Sequence, residues 1–269
     1  MSLSKILRTK FHNLADLPSL DEKSFSRITQ ISPIVSLTTV PNRIINIKPT
    51  IASLLRQRLA PREIHLNIGK DYFGDAEVPD FLNGLKTLKV FMEDIDRGPA
   101  TKYLYTLRRV DPDDLVIILD DDMYYPNTLI EDLVRADSEY NHQCAICING
   151  LRVPKSLCSF DRELDREIKL GHKRVAVIEG CGGYALRPSY FKTDLFDLTG
   201  SPLRAFFDDD FWISGHLSRN NIEKYQITGR KRRRALSNTI ESAIGGDREE
   251  LQSELMRYFS DDWKEEEIV

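Results

Sequence analysis

The sequence predicts an α/β protein: a single Rossmann-like domain whose mostly parallel central sheet is flanked by helices, with a smaller subregion beyond it. Three observations predict this. Short runs rich in β-branched residues alternate with amphipathic stretches of helix length, the pattern of βαβ units. The most apolar run of the chain, Leu115-Val116-Ile117-Ile118-Leu119, has no polar alternation and reads as a strand buried on both faces. Polar residues collect just past such strands, where open α/β sheets bind ligands.

The elements follow in order. Ile34-Val35-Ser36-Leu37-Thr38 is a first strand, and after a turn at Pro41 a helix from about Pro49 to Arg58 places Ile51, Leu54, Leu55 and Leu59 on one face before Pro61 stops it. Glu63 to Ile68 is a second strand and Leu88 to Phe91 a third. A helix from about Ala100 to Arg109 leads through the Asp111-Pro112-Asp113-Asp114 turn into the strand that ends at Leu119. A capped helix from Asn127 to about Tyr140 and a strand from Ala145 to Asn149 complete the regular part. Residues 150 to 204 are richer in turns, with a short strand Val175-Ala176-Val177-Ile178 entering the turn Gly180-Cys181-Gly182-Gly183. Asp208-Asp209-Asp210 then opens a helix, Phe211 to about Arg219, where carboxylates suit the helix dipole and N-capping.

Composition bounds the function. The chain has 269 residues, 42 acidic and 38 basic, for a net charge of −4, so it is not an electrostatic nucleic-acid binder as a whole. Cys144, Cys147, Cys158 and Cys181 are too few and too scattered for a disulfide-stapled domain, and the amino terminus lacks an apolar signal region. Reduced thiols and a cytoplasmic location are expected. Cys144-Ala-Ile-Cys147 has zinc-knuckle spacing but no second pair to complete a tetrahedral site, His142 included. Core packing is the better reading.

Asp120-Asp121-Asp122 follows the buried run directly. Three carboxylates there repel one another in apolar surroundings unless a cation neutralises them, and oxygen-only ligands suit Mg²⁺ or Mn²⁺ more than zinc.

In order along the chain, Ser36 to Arg43, Gly98-Pro99-Ala100-Thr101-Lys102, Asp120-Asp121-Asp122, Gly180-Cys181-Gly182-Gly183 and Asp208-Asp209-Asp210-Phe211-Trp212 resemble a glycosyltransferase of the GT-A fold, similar to the large family 2 type, over about residues 32 to 220. The resemblance implies an N-terminal helical extension (1–30), a GT-A catalytic domain (31–228) with a nucleotide-sugar half (31–149) and an acceptor half (150–228), and a basic loop with a C-terminal helical tail (229–269). It implies that Thr39, Pro41 and Arg43 line the nucleotide, and that Lys102 lies near the diphosphate. The Asp-X-Asp pattern fits Asp120 and Asp122 at its ends, the first contacting sugar or ribose and the last binding Mn²⁺ or Mg²⁺. Asp120 is a second candidate ligand, and Asp121, in the middle, is grouped with the donor-binding residues. Transfer with inversion needs a carboxylate to accept the acceptor's hydroxyl proton, a role for Asp209 first and Asp210 second. Asp208 stands where many relatives carry Glu, which leaves that register open by one residue.

On the acceptor side the resemblance points to Gly182 and Gly183, where a β-carbon blocks close approach of a sugar, and to Trp212, as an aromatic platform or as core. His216 is a metal ligand or a structural histidine. The implied activity is transfer from a nucleoside diphosphate sugar, a UDP-sugar first, to a hydroxyl of a glycan or lipid-linked acceptor, without nucleic acid as a partner. A nucleotidyltransferase is the rival enzyme class, although Leu37 to Pro41 lacks the glycine-rich triphosphate loop. A non-catalytic sugar or nucleotide binding module is the other alternative. Two charged segments stay open. Arg230-Lys231-Arg232-Arg233-Arg234 reads as a nucleic-acid patch, a membrane-surface contact, a loop over the diphosphate or a solvated loop. Residues 5 to 17, with Lys5, Arg8 and Lys10 among apolar residues, form an amphipathic helix, peripheral to a membrane or packed on the domain.

Overall fold

The structure, a computed structural model, describes residues 14–159, 172–227, 234–235 and 248–269. The strands are β1 (Ile34–Thr38), β2 (Glu63–Gly69), β3 (Leu88–Glu93), β4 (Val116–Ile118), β5 (Met123–Tyr124), β6 (Cys144–Cys147), β7 (Gly150–Leu151), β8 (His172–Arg174), β9 (Val177–Ile178), β10 (Tyr184–Leu186), β11 (Glu223–Ile227) and β12 (Arg234–Ala235). The helices that cover them are α1 (Leu17–Phe25), α2 (Lys48–Leu55), α3 (Thr101–Arg109), α4 (Leu129–Glu139), α5 (Asp209–Arg219) and α6 (Arg248–Tyr258).

Eight strands form one sheet in the order β3-β2-β1-β4-β10-β6-β11-β8. β3, β2, β1 and β4 are mutually parallel, as the βαβ alternation predicts. Beyond β4 the direction reverses, because β10 lies antiparallel between β4 and β6. This insertion was not expected from the sequence: Tyr184-Ala185-Leu186 is too short to show a period, and its pairing partners are remote. The glycine turn before it makes the reversal. Gly183 has φ +92°, and a β-carbon there stands 2.6 Å from Leu119 Cδ2, so both backbone and space demand glycine.

The period of two along each strand divides the core between the faces of the sheet. Val35, Leu37, Ile117, Leu119 and Ile146 point to one face, where α2 and α4 supply Ile51, Leu54, Ile130 and Leu133. Val116, Ile118, Ala145, Cys147 and Tyr184 point to the other, under Leu104 of α3, Trp212 of α5 and Leu255 of α6. The zinc-knuckle pair is therefore core, as expected. Burial pushes the Cys147 thiol well above its ordinary range and Cys144 up to about 11.

The helix after the first aspartate triplet begins at Leu129 rather than Asn127. Thr128 at its N-cap makes no side-chain cap bond, and the Asn127 carbonyl instead accepts the Arg58 N–H at 2.8 Å. No helix among the described residues is long and apolar enough to cross a membrane. Residues 5–13 of the amphipathic segment and Arg230–Arg233 of the basic run lie outside the described residues. The backbone of Arg234–Ala235 pairs with Met123–Tyr124, directly after the aspartates.

Candidate active site

The carboxyl ends of β1 and β4 are adjacent, so the loop after Thr38 and the triplet after Leu119 share one crevice. The triplet's backbone is pinned from below. Tyr125, 1% exposed, takes the Asp120 N–H on its hydroxyl at 2.9 Å and sits 3.1 Å from the Asp120 carbonyl. The Thr50 hydroxyl lies 2.6 Å from the Asp121 carbonyl and 2.8 Å from that of Met123. Neither Tyr125 nor Thr50 was singled out from the sequence. Both are side chains that close a tight turn, a role without a motif.

With the turn fixed, the three carboxylates go different ways. Asp121 is buried and accepts the Thr39 hydroxyl at 2.5 Å and Arg43 Nε at 3.1 Å, and it ion-pairs with Arg43 Nη2. Its carboxylate is thus the anchor of the Thr39–Arg43 loop and faces inward. Asp122 stays at the crevice, with Arg43 Nη2 at 3.7 Å. Burial raises its pKa against the pull of Arg43. Asp120 accepts from Lys102 Nζ at 3.0 Å. Pro41 starts a single helical turn, Pro41–Ile44, that carries Arg43.

Lys102 joins this wall to the second triplet. Its side chain is only 4% exposed, and Nζ lies 2.7 Å from Asp209 Oδ2. Burial pulls the ammonium toward neutrality, but Asp120 and Asp209, with Asp210 and Tyr184 beyond, outweigh it, so its pKa stands well above the ordinary lysine value. Asp209 is buried, which raises its pKa while Lys102 opposes the rise. Asp210 is more open and accepts the Gly180 N–H at 3.0 Å. Burial and then the charge of Asp209 push it well above the usual carboxylate range. Simple N-capping does not account for the triplet: Asp208 makes no cap bond and instead accepts from Arg248 Nε at 3.0 Å and Gln252 Nε2 at 2.9 Å.

The acceptor-side expectations for Trp212, Gly182 and Gly183 change, while His216 takes the structural of its two readings. Trp212 is fully buried with its indole N–H on the Leu195 carbonyl at 3.0 Å, so it is core and offers no platform to a sugar. His216 belongs to the same aromatic cluster, 4.4 Å from Trp212 and 5.2 Å from Phe259 between ring centroids. Burial draws its pKa down to about 4, against Asp194, and the ring packs as a structural histidine. The space at Gly182 and Gly183 is filled by protein: β-carbons there meet Asn149 at 3.0 Å and Leu119 at 2.6 Å. Gly180 is the glycine that faces the carboxylates. A β-carbon there stands 2.7 Å from Lys102 Nζ, 3.1 Å from Asp120 Oδ1 and 3.3 Å from Asp210 Oδ1.

No group of three or more His, Cys, Asp or Glu among the described residues forms a metal cage. The donor set still suits a hard divalent ion of the kind held by one or two carboxylates plus substrate phosphates and water. Of the three carboxylates Asp122 is the least committed to a protein cation, since Asp121 is paired with Arg43 and Asp120 with Lys102.

No protein-family model matches the chain, and no curated protein matches it by sequence. Among solved structures, S. aureus TarS 1–349 in complex with UDP is similar over 86% of this chain and 65% of its own, at TM-score 0.53 and 13% identity. The same protein in complex with UDP-GlcNAc gives TM-score 0.52 at 14% identity, covering 86% of this chain and 66% of that one. The chain thus spans slightly less than two thirds of these two structures. The shared fold is that of GT-A glycosyltransferases, a mixed α/β domain with a central, mostly parallel sheet.

Proposed function

We propose that the protein is a glycosyltransferase that moves a sugar from a nucleoside diphosphate donor, a UDP-sugar, to a hydroxyl acceptor with inversion at the anomeric carbon. One observation carries this. Residues around 40, 102, 121, 180 and 210 meet in a single crevice and are tied there by Arg43–Asp121, Lys102–Asp120, Lys102–Asp209 and the Gly180 N–H on Asp210. Basic and acidic groups that converge from so many elements fit a reaction that handles a diphosphate on one side and a hydroxyl proton on the other. The complexes of TarS with UDP and UDP-GlcNAc support the donor class.

The Arg43 guanidinium, held in place by Asp121, turns toward the crevice beside Asp122 and offers a donor to a phosphate or the base edge. Asp122 would hold the divalent ion with help from the donor phosphates, and such an ion stabilises the charge that grows on the leaving diphosphate. Asp120, its backbone pinned by Tyr125, presents a carboxylate to sugar or ribose hydroxyls. Asp210 takes the acceptor's proton as the acceptor oxygen bonds to the anomeric carbon, and the bond to the diphosphate breaks with its electron pair. Asp210 replaces Asp209 as first choice for the base. The Asp209 carboxylate is buried against Lys102, whereas Asp210 is more accessible and, with its raised pKa, the better proton acceptor.

Isothermal titration of UDP with and without Mn²⁺, followed by an assay of donor hydrolysis across a panel of UDP-sugars, tests the proposal. Metal-assisted UDP binding with slow hydrolysis of one donor is expected. A protein that binds no nucleoside diphosphate sinks it.

A further inference from the structure

We propose that Lys102 is a positioning residue that couples the donor side of the crevice to the acceptor side: its one ammonium holds Asp120 and Asp209 together, so a change at either carboxylate is felt at the other. This rests on the glycosyl-transfer reading above.

The bridge is short on both sides, 3.0 Å to Asp120 Oδ1 and 2.7 Å to Asp209 Oδ2. Asp120 ends the strand side of the site, while Asp209 is the first residue of α5. The space is shaped for a lysine. Gly180 roofs the ammonium so closely that any β-carbon would displace it, and a guanidinium is larger still.

The backbone of Lys102 is fixed as well. The Ser36 hydroxyl, reaching across from β1, bonds to the Lys102 carbonyl and lies 2.7 Å from the Thr106 hydroxyl. Asn67 Nδ2 of β2 lies 3.4 Å from that carbonyl and 3.0 Å from both Ser36 Oγ and Thr106 Oγ1, and its own carbonyl accepts from Arg109 Nη1 at 3.2 Å. Ser36, Asn67 and Thr106 are fully buried. A buried polar network with its partners in place is rigid, so α3 cannot slide to relieve a change at the ammonium. That change passes between the two carboxylates instead. The Asp120 side chain is 28% exposed and opens to the donor, whereas that of Asp209 is only 9% exposed.

Coupling of this kind is measurable as non-additivity. UDP affinity in the presence of Mn²⁺ is to be measured by calorimetry for the wild type, Lys102→Gln, Asp209→Asn and the double variant. With Lys102 present, Asp209→Asn leaves the ammonium to Asp120 and the donor alone, and UDP is expected to bind about fivefold tighter or more. In the Lys102→Gln background the same change is expected to shift affinity by less than about twofold. Equal shifts in the two backgrounds, or no shift in either, overturn the coupling while UDP binding by the wild type leaves the donor reading standing. A wild type that does not bind UDP sinks both. Should Lys102→Gln fail to fold, Gly180→Ala serves in its place, because it displaces the ammonium without removing its charge. It is expected to silence the Asp209→Asn effect, and an undiminished effect overturns the proposal.

Discussion

At the residue scale, Asp122 and Asp210 are the carboxylates that stay least committed to protein cations at the crevice. Arg43 comes no nearer than 3.7 Å to Asp122, and Asp210 is held by a backbone N–H rather than a side-chain charge. Asp122→Ala is expected to abolish the Mn²⁺ dependence of UDP binding while the melting temperature changes little, since a carboxyl with a raised pKa contributes little to the fold. Calorimetry with and without Mn²⁺, beside a thermal melt, checks both parts, and an undiminished metal effect moves the ion elsewhere. Asp210→Asn is expected to keep UDP binding but lose transfer by roughly 10²–10⁴-fold. The pH profile follows from the direction of the shift. A base must be unprotonated to act, so with Asp210 well above the usual carboxylate range kcat/KM should fall on acidification at a pH clearly higher than about 4. A limb at the ordinary value argues for another base. That the two triplets meet was legible in the sequence, because one directly follows the buried strand run and the other opens a helix. Trp212 and Gly180 were not. What Trp212 faces depends on Leu195, and what Gly180 faces depends on Lys102, neither of which has a fixed spacing to it.

At the element scale, the C-terminal segment holds the acceptor side in place. α6 reaches Asp208 through Arg248 and Gln252, fixing the start of α5 just before the acids that matter. Farther on, Glu267 meets Lys224 of β11 in an ion pair at 2.8 Å with both side chains 0% exposed, and the Ser218 hydroxyl and the Lys264 N–H also donate to Glu267. Burial lowers the Lys224 pKa from 10.5 to about 8, with Glu267 opposing. Removing one partner strands a buried charge, so Glu267→Ala is expected to cost about 3–5 kcal/mol in chemical denaturation, while Lys224→Met with Glu267→Met recovers most of it. The pair also has a pH signature. Between about 8 and 10.5 the unfolded lysine holds a proton that the folded one has lost, so this residue makes stability rise with pH over that window. The rise should be absent from the double variant. Cys144 and Cys147, raised by burial from 9.0, oppose it from the middle of the window, and Tyr103, Tyr125 and Tyr184, all held well above 10 by burial, at the upper end, so the part below about pH 9 is the place to measure. β1 and β4 were legible as apolar runs followed by helix-length amphipathic stretches, and β2 and β3 as short strand-like runs bounded by turn residues. β10 and β11 were not, since β10 spans only Tyr184–Leu186 and the polar residues of β11, Glu223, Lys224 and Gln226, hide a strand in which Lys224 is itself buried.

For the whole molecule, the two apolar clusters share a sheet, and the sheet does not respect a boundary between residues 149 and 150. β10, from beyond that point, lies between β4 and β6, so the expected nucleotide and acceptor halves are sewn into one layer. The crevice draws Arg43 and Asp122 from one half and Asp209, Asp210 and Gly180 from the other, with Lys102 bridging them. A ligand that binds only the folded crevice should therefore protect both halves at once. At a hundredfold excess over Kd such a ligand adds about 2.7 kcal/mol. For a chain of this size, that corresponds to a rise in Tm of roughly 5–10 °C. Differential scanning calorimetry with UDP and Mn²⁺ should show one transition moving as a unit. Two transitions, of which UDP moves only the first, mean that the acceptor half melts independently and that the shared sheet is too weak a seam to make the halves cooperate.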